Sequence, residues 1–289
     1  MSIVDKFITP KTKDLGDGFV VRRALPTLKH KSVGPFVFWD HMGPVELQGS
    51  NVLKVRSHPH IGLATITWLF SGMIMHRDSL GNKQLIKPGE VNWMTTGSGI
   101  THSERMSSEA EPILLEGIQL WLALPKEHED VDASFYHCKE NDVPQLSISN
   151  AKMRLIAGEI EGAKSPVPVY SDLFYLNGSI ESNKTFSYQL PEDTEAATYI
   201  INGGVKVEGE NKTRFDMIIF KKGALIEFES ISDCEFMFFG GKPFPEKRYM
   251  WWNFVSTSQQ KIEDAKVRWK TNKFPKTFDE EEFTPLPEN

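Results

Sequence analysis

The stretch "TWLFSGMIMH" (67–76) has a gapless counterpart in "TYIINGGVKV" (198–207), with Thr67 over Thr198 and Gly72 over Gly203. Both are runs of β-branched, aromatic and aliphatic residues broken at a glycine, the pattern of two strands joined by a tight bend. With about three extra residues in the hairpin that follows, "IKPGEVNW" (86–93) falls on "FKKGALIE" (220–227), Gly89 over Gly223. The identities are few, but strand, turn and glycine recur in one order. A duplicated β-barrel is the economical reading. The flanks agree with it: "GPFVFWDHMGP" (34–44), "ATITWLFSG" (64–72), "EVNWMTTG" (90–97) and "GIQLWLALP" (117–125) read as strands bounded by turns. "DSLGNKQ" (78–84) reads as a hairpin loop with Gly81-Asn82 at its tip. The same texture resumes after about residue 152, so the whole chain is predicted to be all-β.

A chain of 289 residues has room for two barrels, divided here into 1–130 and 151–289. Between them 131–150 reads as a linker, within the polar "HEDVDASFYHCKENDVPQL" (128–146). The tail departs from the β pattern. "STSQQKIEDAKVRWK" (256–270) sets Ile262, Ala265 and Trp269 at helical spacing, with Thr257 and Gln260 placed as a capping box. One short C-terminal helix is expected, and "FDEEEF" (278–283) beyond it reads as a solvated acidic end.

Composition excludes several classes of function. No apolar run approaches the length that spans a bilayer, and the N-terminus lacks the basic and apolar regions of a secretory signal. The two cysteines, Cys138 and Cys234, stand far apart and read as inert thiols of a reducing compartment, the cytoplasm or, in a eukaryote, the nucleus. A net charge of −6 without a Lys/Arg cluster disfavours direct nucleic-acid binding.

The chemistry gathers in "RSHPHIG" (56–62) and "GSGITHSE" (97–104). Alternate side chains of a strand share a face, so His58 points with His60, and His102 with Glu104. A lone His-x-His is weak evidence, because strand ends often carry polar residues. Two such pairs on neighbouring strands bring three imidazoles and one carboxylate to one point. All eight histidines lie at or before position 137. Under the repeat alignment His58 and His60 fall near Gln189 and Pro191, and His102 and Glu104 near Phe236 and Phe238, so only the first half can build this site. Three imidazole nitrogens and one carboxylate oxygen suit one divalent first-row metal: iron first, with nickel, copper, zinc or manganese also admitted. Such a set leaves coordination positions open, as a catalyst requires. The glycines of "TTGSGIT" let the backbone turn before His102. His76, Asp40, Met42 and Trp93 are placed in the adjoining pocket, although each also has an ordinary reading as a core, turn or hydrogen-bonded strand residue. Of Trp93 and Met94 one must point inward.

"HPHIGLATITWLFSG", "HRDSLGN", "PGEVNWMTTGSGITHSE" and the late "RYMWWNFVSTS", in this order, resemble the pirin family, a branch of the cupin superfamily, over nearly the whole chain. The resemblance implies two tandem cupin-type β-barrels, a bicupin, with iron in the N-terminal barrel held by His58, His60, His102 and Glu104. It implies one of two functions. The first is a quercetin 2,3-dioxygenase-type oxidoreductase, acting with O2 on flavonol-like or other small enolic or aromatic substrates, with Glu104 as the base for the substrate hydroxyl. The second is an iron-binding, redox-responsive interaction protein, a transcriptional co-regulator working through protein partners. Where many members read HPHRGFET, this chain has Ile61, Leu63 and Ala64; where many read GRG, it has Gly97-Ser98-Gly99. The first change leaves Glu104 as the carboxylate ligand, and together they make the rim less charged.

Overall fold

The computed structural model describes residues 2–15, 19–48, 52–106 and 113–288. The strands build the same arrangement twice. One seven-stranded sheet runs in the order Ser134–Cys138, Val91–Thr95, Leu63–Ser71, Ile113–Ala123, Phe36–Leu47, Val20–Leu25, Lys11–Asp14. A four-stranded sheet accompanies it, in the order Lys54–His60, Ile100–Met106, Ile74–Asp78, Lys83–Ile86. The second copy runs Val4–Ile8, Met217–Phe220, Glu195–Asn202, Cys234–Gly241, Leu173–Ile180, Ala151–Ile160, Gln145–Ile148, with a four-stranded sheet of Thr185–Gln189, Leu225–Ser230, Gly204–Val207 and Glu210–Thr213. The described residues are thus mostly β, in two domains of like build with one C-terminal α-helix, as the repeat, the resemblance and the helical spacing of the tail predicted. Each domain consists of separate sheets rather than one ladder closed on itself.

Matching the ladders corrects the repeat alignment. Ile74 pairs with Met106 in the first domain as Val205 pairs with Ser230 in the second. Counting along these strands puts Val207 where the first domain has His76, Phe228 for Glu104 and Ile226 for His102. Tyr188 pairs with Ile226 as His58 pairs with His102, and Leu190 then stands for His60. The expected counterparts Gln189, Pro191, Phe236 and Phe238 are therefore wrong. The loops of the second half are shorter, not longer, so the insertion assumed in the alignment slipped it by one strand. The conclusion drawn from it survives in a sharper form. Leu190, Val207, Ile226 and Phe228 belong to one buried apolar cluster, with Tyr188 packed against it, and Phe186 stacks on Phe228 at 4.9 Å. The second barrel is filled where the first carries polar ligands.

Two compact units emerge. One comprises Met1–Thr12, Arg22–Phe38 and Asn141–Phe244; the other comprises Lys13–Val21, Trp39–Glu140 and Pro245–Asn289. The division at 131–150 read from the sequence differs from this in three respects. Ser134–Cys138 is an edge strand paired to Val91–Thr95, and Gln145–Ile148 is paired to Ala151–Ile160, so little of that stretch is linker. The N-terminal strand Val4–Ile8 pairs with Met217–Phe220 of the second barrel. The C-terminal helix, Gln259–Lys270, belongs to the unit that holds His58, His60, His76 and His102.

That helix is capped one residue later than the sequence indicated. Ser258 accepts from the Lys261 amide, while Thr257 donates its amide and hydroxyl to the buried Glu129 carboxylate. Its buried face, Ile262 and Ala265, packs with Ile61, Phe254 and Phe274. Ile61, the first departure from the common family pattern, is thus an apolar seat for the tail. The acidic end is not free in solvent either. Glu280 and Glu282 pair with Arg105, and Asp279 lies near Arg77 and Lys83. Both cysteines are free and buried, and burial pushes the Cys234 thiol up to about 12, as expected of an inert thiol. No helix among the described residues is long and apolar enough to cross a membrane.

Truncating a large side chain at the centre of a filled barrel leaves a cavity, and Phe→Ala at such sites costs about 3–5 kcal/mol. Phe228→Ala is expected to lower the unfolding free energy by that amount, read as a lower denaturant midpoint at unchanged m; an unchanged midpoint would show that the apolar plug contributes little.

Candidate metal centre

The site lies on one face of three adjacent strands. Lys54–His60 is the edge strand of its sheet, so Pro59, which has no N–H to give, sits there without breaking an inner ladder. His102 pairs directly with His58, a bulge follows, and Glu104 pairs with His76 on the other side. The period of two then turns His58, His60, His102, Glu104, His76 and Asp78 to the same side. The loop before His102 needs its glycines. Gly97 has φ +46°, and a Cβ there would lie 1.8 Å from the Val131 carbonyl oxygen.

Two triads of ligand atoms converge, His58–His60–His102 and His76–His102–Glu104, each with its atoms within 4.8 Å of one another. The rings of His58 and His102 are 4.3 Å apart, and that of His60 is 4.9 and 5.1 Å from theirs. Their hydrogen bonds set the tautomers. His58 Nδ1 donates to the Arg56 carbonyl at 2.8 Å and His60 Nδ1 to the Asn253 carbonyl at 3.1 Å, which leaves a lone pair on each Nε2. His60 Nε2 and both ring nitrogens of His102 are buried without a hydrogen-bond partner. Unsatisfied buried groups cost about 1–3 kcal/mol each, so a cluster of them marks a place where a ligand is missing from the count. A cation would take up the lone pair of His60 Nε2 and that of one His102 nitrogen, and the donor set fits one.

Electrostatics favour the ligating forms. Burial lowers His58 to about 4. It pushes His60 and His102 well below the ordinary imidazole value, with His58 adding to the effect. All three are neutral bases at pH 7. Burial raises Glu104, against the opposing pull of His76 and Thr67. Asp78 is pushed up by burial but held below the carboxylate norm by hydrogen bonds from His76 and Asn82. His76 Nε2 meets Asp78 Oδ2 at 3.1 Å, and the Asn82 side chain at the hairpin tip donates to both Asp78 oxygens.

The wall facing this cluster comes from the larger sheet. Thr67 donates to Gln119 at 2.8 Å and approaches Glu104 at 3.5 Å. Trp121 sets its edge against His60 at 5.1 Å, and Phe135 stacks on His76 at 4.6 Å. None of these four was singled out in the sequence, although Thr67, Gln119 and Trp121 obey the period of two on strands that were. Cross-strand partners share a face, so Thr65, Met94, Phe135 and Trp121 belong to this wall.

Trp93 does not. It pairs with Ile66 and Tyr136 on the opposite face and donates to Thr95, so its placement in the pocket is corrected: Met94 is the inward residue. Ala64 shares the Trp93 face, which removes it from the site. Met42 packs in the apolar cluster with Leu69 and Ile74 within the same unit, and Asp40 is buried two residues before it. His76 lies among the candidate ligand atoms, within 4.8 Å of those of His102 and Glu104.

Known proteins resemble this chain in sequence and in fold. The profile of the pirin family matches residues 18–122, and that of the pirin C-terminal cupin domain matches residues 175–275. A pirin-like protein of Caulobacter vibrioides is 46% identical, across 99% of this chain and 100% of its own. A Pseudomonas aeruginosa protein provisionally named quercetin 2,3-dioxygenase is 33% identical, across 91% of this chain and 82% of its own. The crystal structure of quercetin 2,3-dioxygenase from Acinetobacter baumannii superposes with a TM-score of 0.91 at 31% identity, covering 98% of this chain and 95% of that one. With two cupin domains in tandem and relatives matched from end to end, the chain belongs to the pirin family.

Proposed function

We propose that this protein is a metal-dependent dioxygenase of flavonol-like or other small enolic aromatic compounds, with one divalent first-row metal, iron by preference, held by His58, His60, His102 and Glu104. The observation that carries the reading is the group of buried, neutral imidazoles whose inward nitrogens have no protein partner. The metal would supply Lewis acidity toward a substrate oxygen and the electronic coupling to O2 that a closed-shell organic substrate lacks. Everything else falls to the chain. His58 and His60 are fixed in rotation by carbonyls, and Trp121 and Phe135 hold an apolar wall that suits a planar ring. Glu104, raised by burial and only distantly held by Thr67, takes the proton of the substrate hydroxyl. The names of the Pseudomonas and Acinetobacter relatives support the choice of substrate.

Oxygen uptake with quercetin, read beside metal content, tests this. Metal-loaded protein is expected to consume oxygen and His102→Ala to lose both metal and turnover; activity that survives His102→Ala would remove the proposal. Glu104→Gln removes the base and should lower kcat per bound metal about 10²–10⁴-fold.

Protonation gives a second handle. His58 titrates near 4 in the folded chain against 6.5 in the unfolded one, so on acidification the unfolded chain takes up the proton first. The stability this group contributes is complete above 6.5 and is lost as the pH falls from 6.5 toward 4. His60 and His102 act in the same direction, and Glu104, raised by burial, acts in the other. The melting temperature of metal-free protein should therefore fall across that window, and His58→Asn should flatten the slope. A profile flat to pH 4 would contradict the buried, neutral cluster.

A further inference from the structure

The ligands occupy one face of their strands; the residues between them occupy the other. Ser57 lies between His58 and the start of its strand, Thr101 precedes His102, and Arg105 follows Glu104. All three are tied to the acidic segment 275–284. The Thr101 hydroxyl donates to the Pro275 carbonyl at 2.7 Å, and Thr277 donates to Thr101 at 2.9 Å. With the Thr277 proton used, the Ser57 hydroxyl is the donor in its 2.6 Å contact with Thr277. Arg105 places Nε and Nη2 on one oxygen of Glu280 at 2.9 and 2.8 Å, and Nη2 reaches Glu282 at 2.9 Å. The segment also runs parallel to Lys54–His60. Ser57 gives its amide to the Glu282 carbonyl at 3.1 Å, and its carbonyl accepts from the Thr284 amide at 2.8 Å.

This covers an otherwise open edge. Lys54–His60 is the outermost strand of the four-stranded sheet, yet it carries two of the four ligands. An edge strand with one neighbour frays more readily than an inner one, and a shift by one residue would turn both histidines away. The bulge between His102 and Glu104 adds a second place where register can slip.

We propose that residues 275–284 form a positioning strap, with Arg105 and Thr277 as its main fixings, that sets the metal affinity of the site by holding the back of the ligand strands. The proposal rests on the metal-binding reading above. It differs from a purely stabilising tail because it ties the strap to ligand geometry.

The test uses the full-length chain and its Arg105→Gln, Arg105→Lys and Thr277→Val variants, with Fe(II) or Ni(II) affinity measured by chelator competition and amide exchange followed in the metal-free form. Loss of a hydrogen-bonded support around a metal ligand weakens binding about 10–100-fold, and that is the loss expected for Arg105→Gln. Arg105→Lys should fall between it and the parent, because an ammonium keeps the charge without the paired N–H geometry. The Ser57 amide should exchange faster in both Arg105→Gln and Thr277→Val. Parental affinity in these two variants would overturn the strap while leaving the metal reading intact. If the parent chain itself takes up no metal, the metal reading fails, and an unchanged Ser57 exchange rate in the variants then overturns the strap by itself. A chain ending at Phe274 should show the largest loss of affinity, and the point variants decide the matter if that chain does not fold.

Discussion

The two-residue period of a β-strand is the constraint from which this site follows. A strand has two faces and no third, so a sequence that puts ligands at i and i+2 must spend i+1 and i+3 on something else. In Ile100–Met106 positions i and i+2 are His102 and Glu104, turned inward, while Thr101 and Arg105 are turned outward to the C-terminal segment. Inside and outside are therefore not independent. A change that moves Arg105 relative to its partners rotates or shifts the strand that presents Glu104. The same holds for Lys54–His60, where Ser57 lies immediately beside His58.

The paired domains show what the ligands displace. In the second barrel the equivalent positions carry Tyr188, Leu190, Val207, Ile226 and Phe228, an apolar plug of the kind that stabilises a barrel by burial. The first barrel gives up that plug for four imidazoles and a carboxylate, those of His58, His60, His76, His102 and Glu104. Burying these groups without full hydrogen bonding is unfavourable, and the apolar cluster of Met42, Leu69, Ile74 and Leu115 in the same unit offsets part of it. Duplication separates the tasks: one copy keeps the filled interior, and the other accepts an energetic penalty that a bound cation removes.

Most of the fold and the centre of the site were legible in the sequence because both rest on short-range patterns. The pairs His58/His60 and His102/Glu104 are read within one strand, and the repeat of "TWLFSGMIMH" is read within one hairpin. What depended on pairing between strands was not legible. Nothing local distinguishes Trp93 from Met94; only the pairing of Thr65 with Met94 and of Ile66 with Trp93 decides which faces the histidines. The repeat alignment failed for a related reason, since loop length carries no signature and a slip of one strand still matched glycine to glycine. The acidic tail misled because charge alone reads as solvation, whereas its partners Arg105 and Lys54 lie far upstream in the chain.

The position of Glu104 turns on a single proton. Thr67 has one hydroxyl hydrogen and two acceptors near it, the Gln119 oxygen at 2.8 Å and the Glu104 oxygen at 3.5 Å. The shorter, better-directed contact takes the hydrogen, so Glu104 is left with little to anchor it. A carboxylate bound to a cation is a poor base, because the positive charge stabilises its ionised form; a carboxylate in an apolar wall away from the cation is a better one. Under the proposed function, ligand and base would be two positions of one side chain rather than two properties of one position. A firm hydrogen bond from Thr67 would lower the basicity further and tie the side chain down. By directing that proton to Gln119, the chain keeps Glu104 buried and lightly held, the combination that the proposed double role as ligand and base would require.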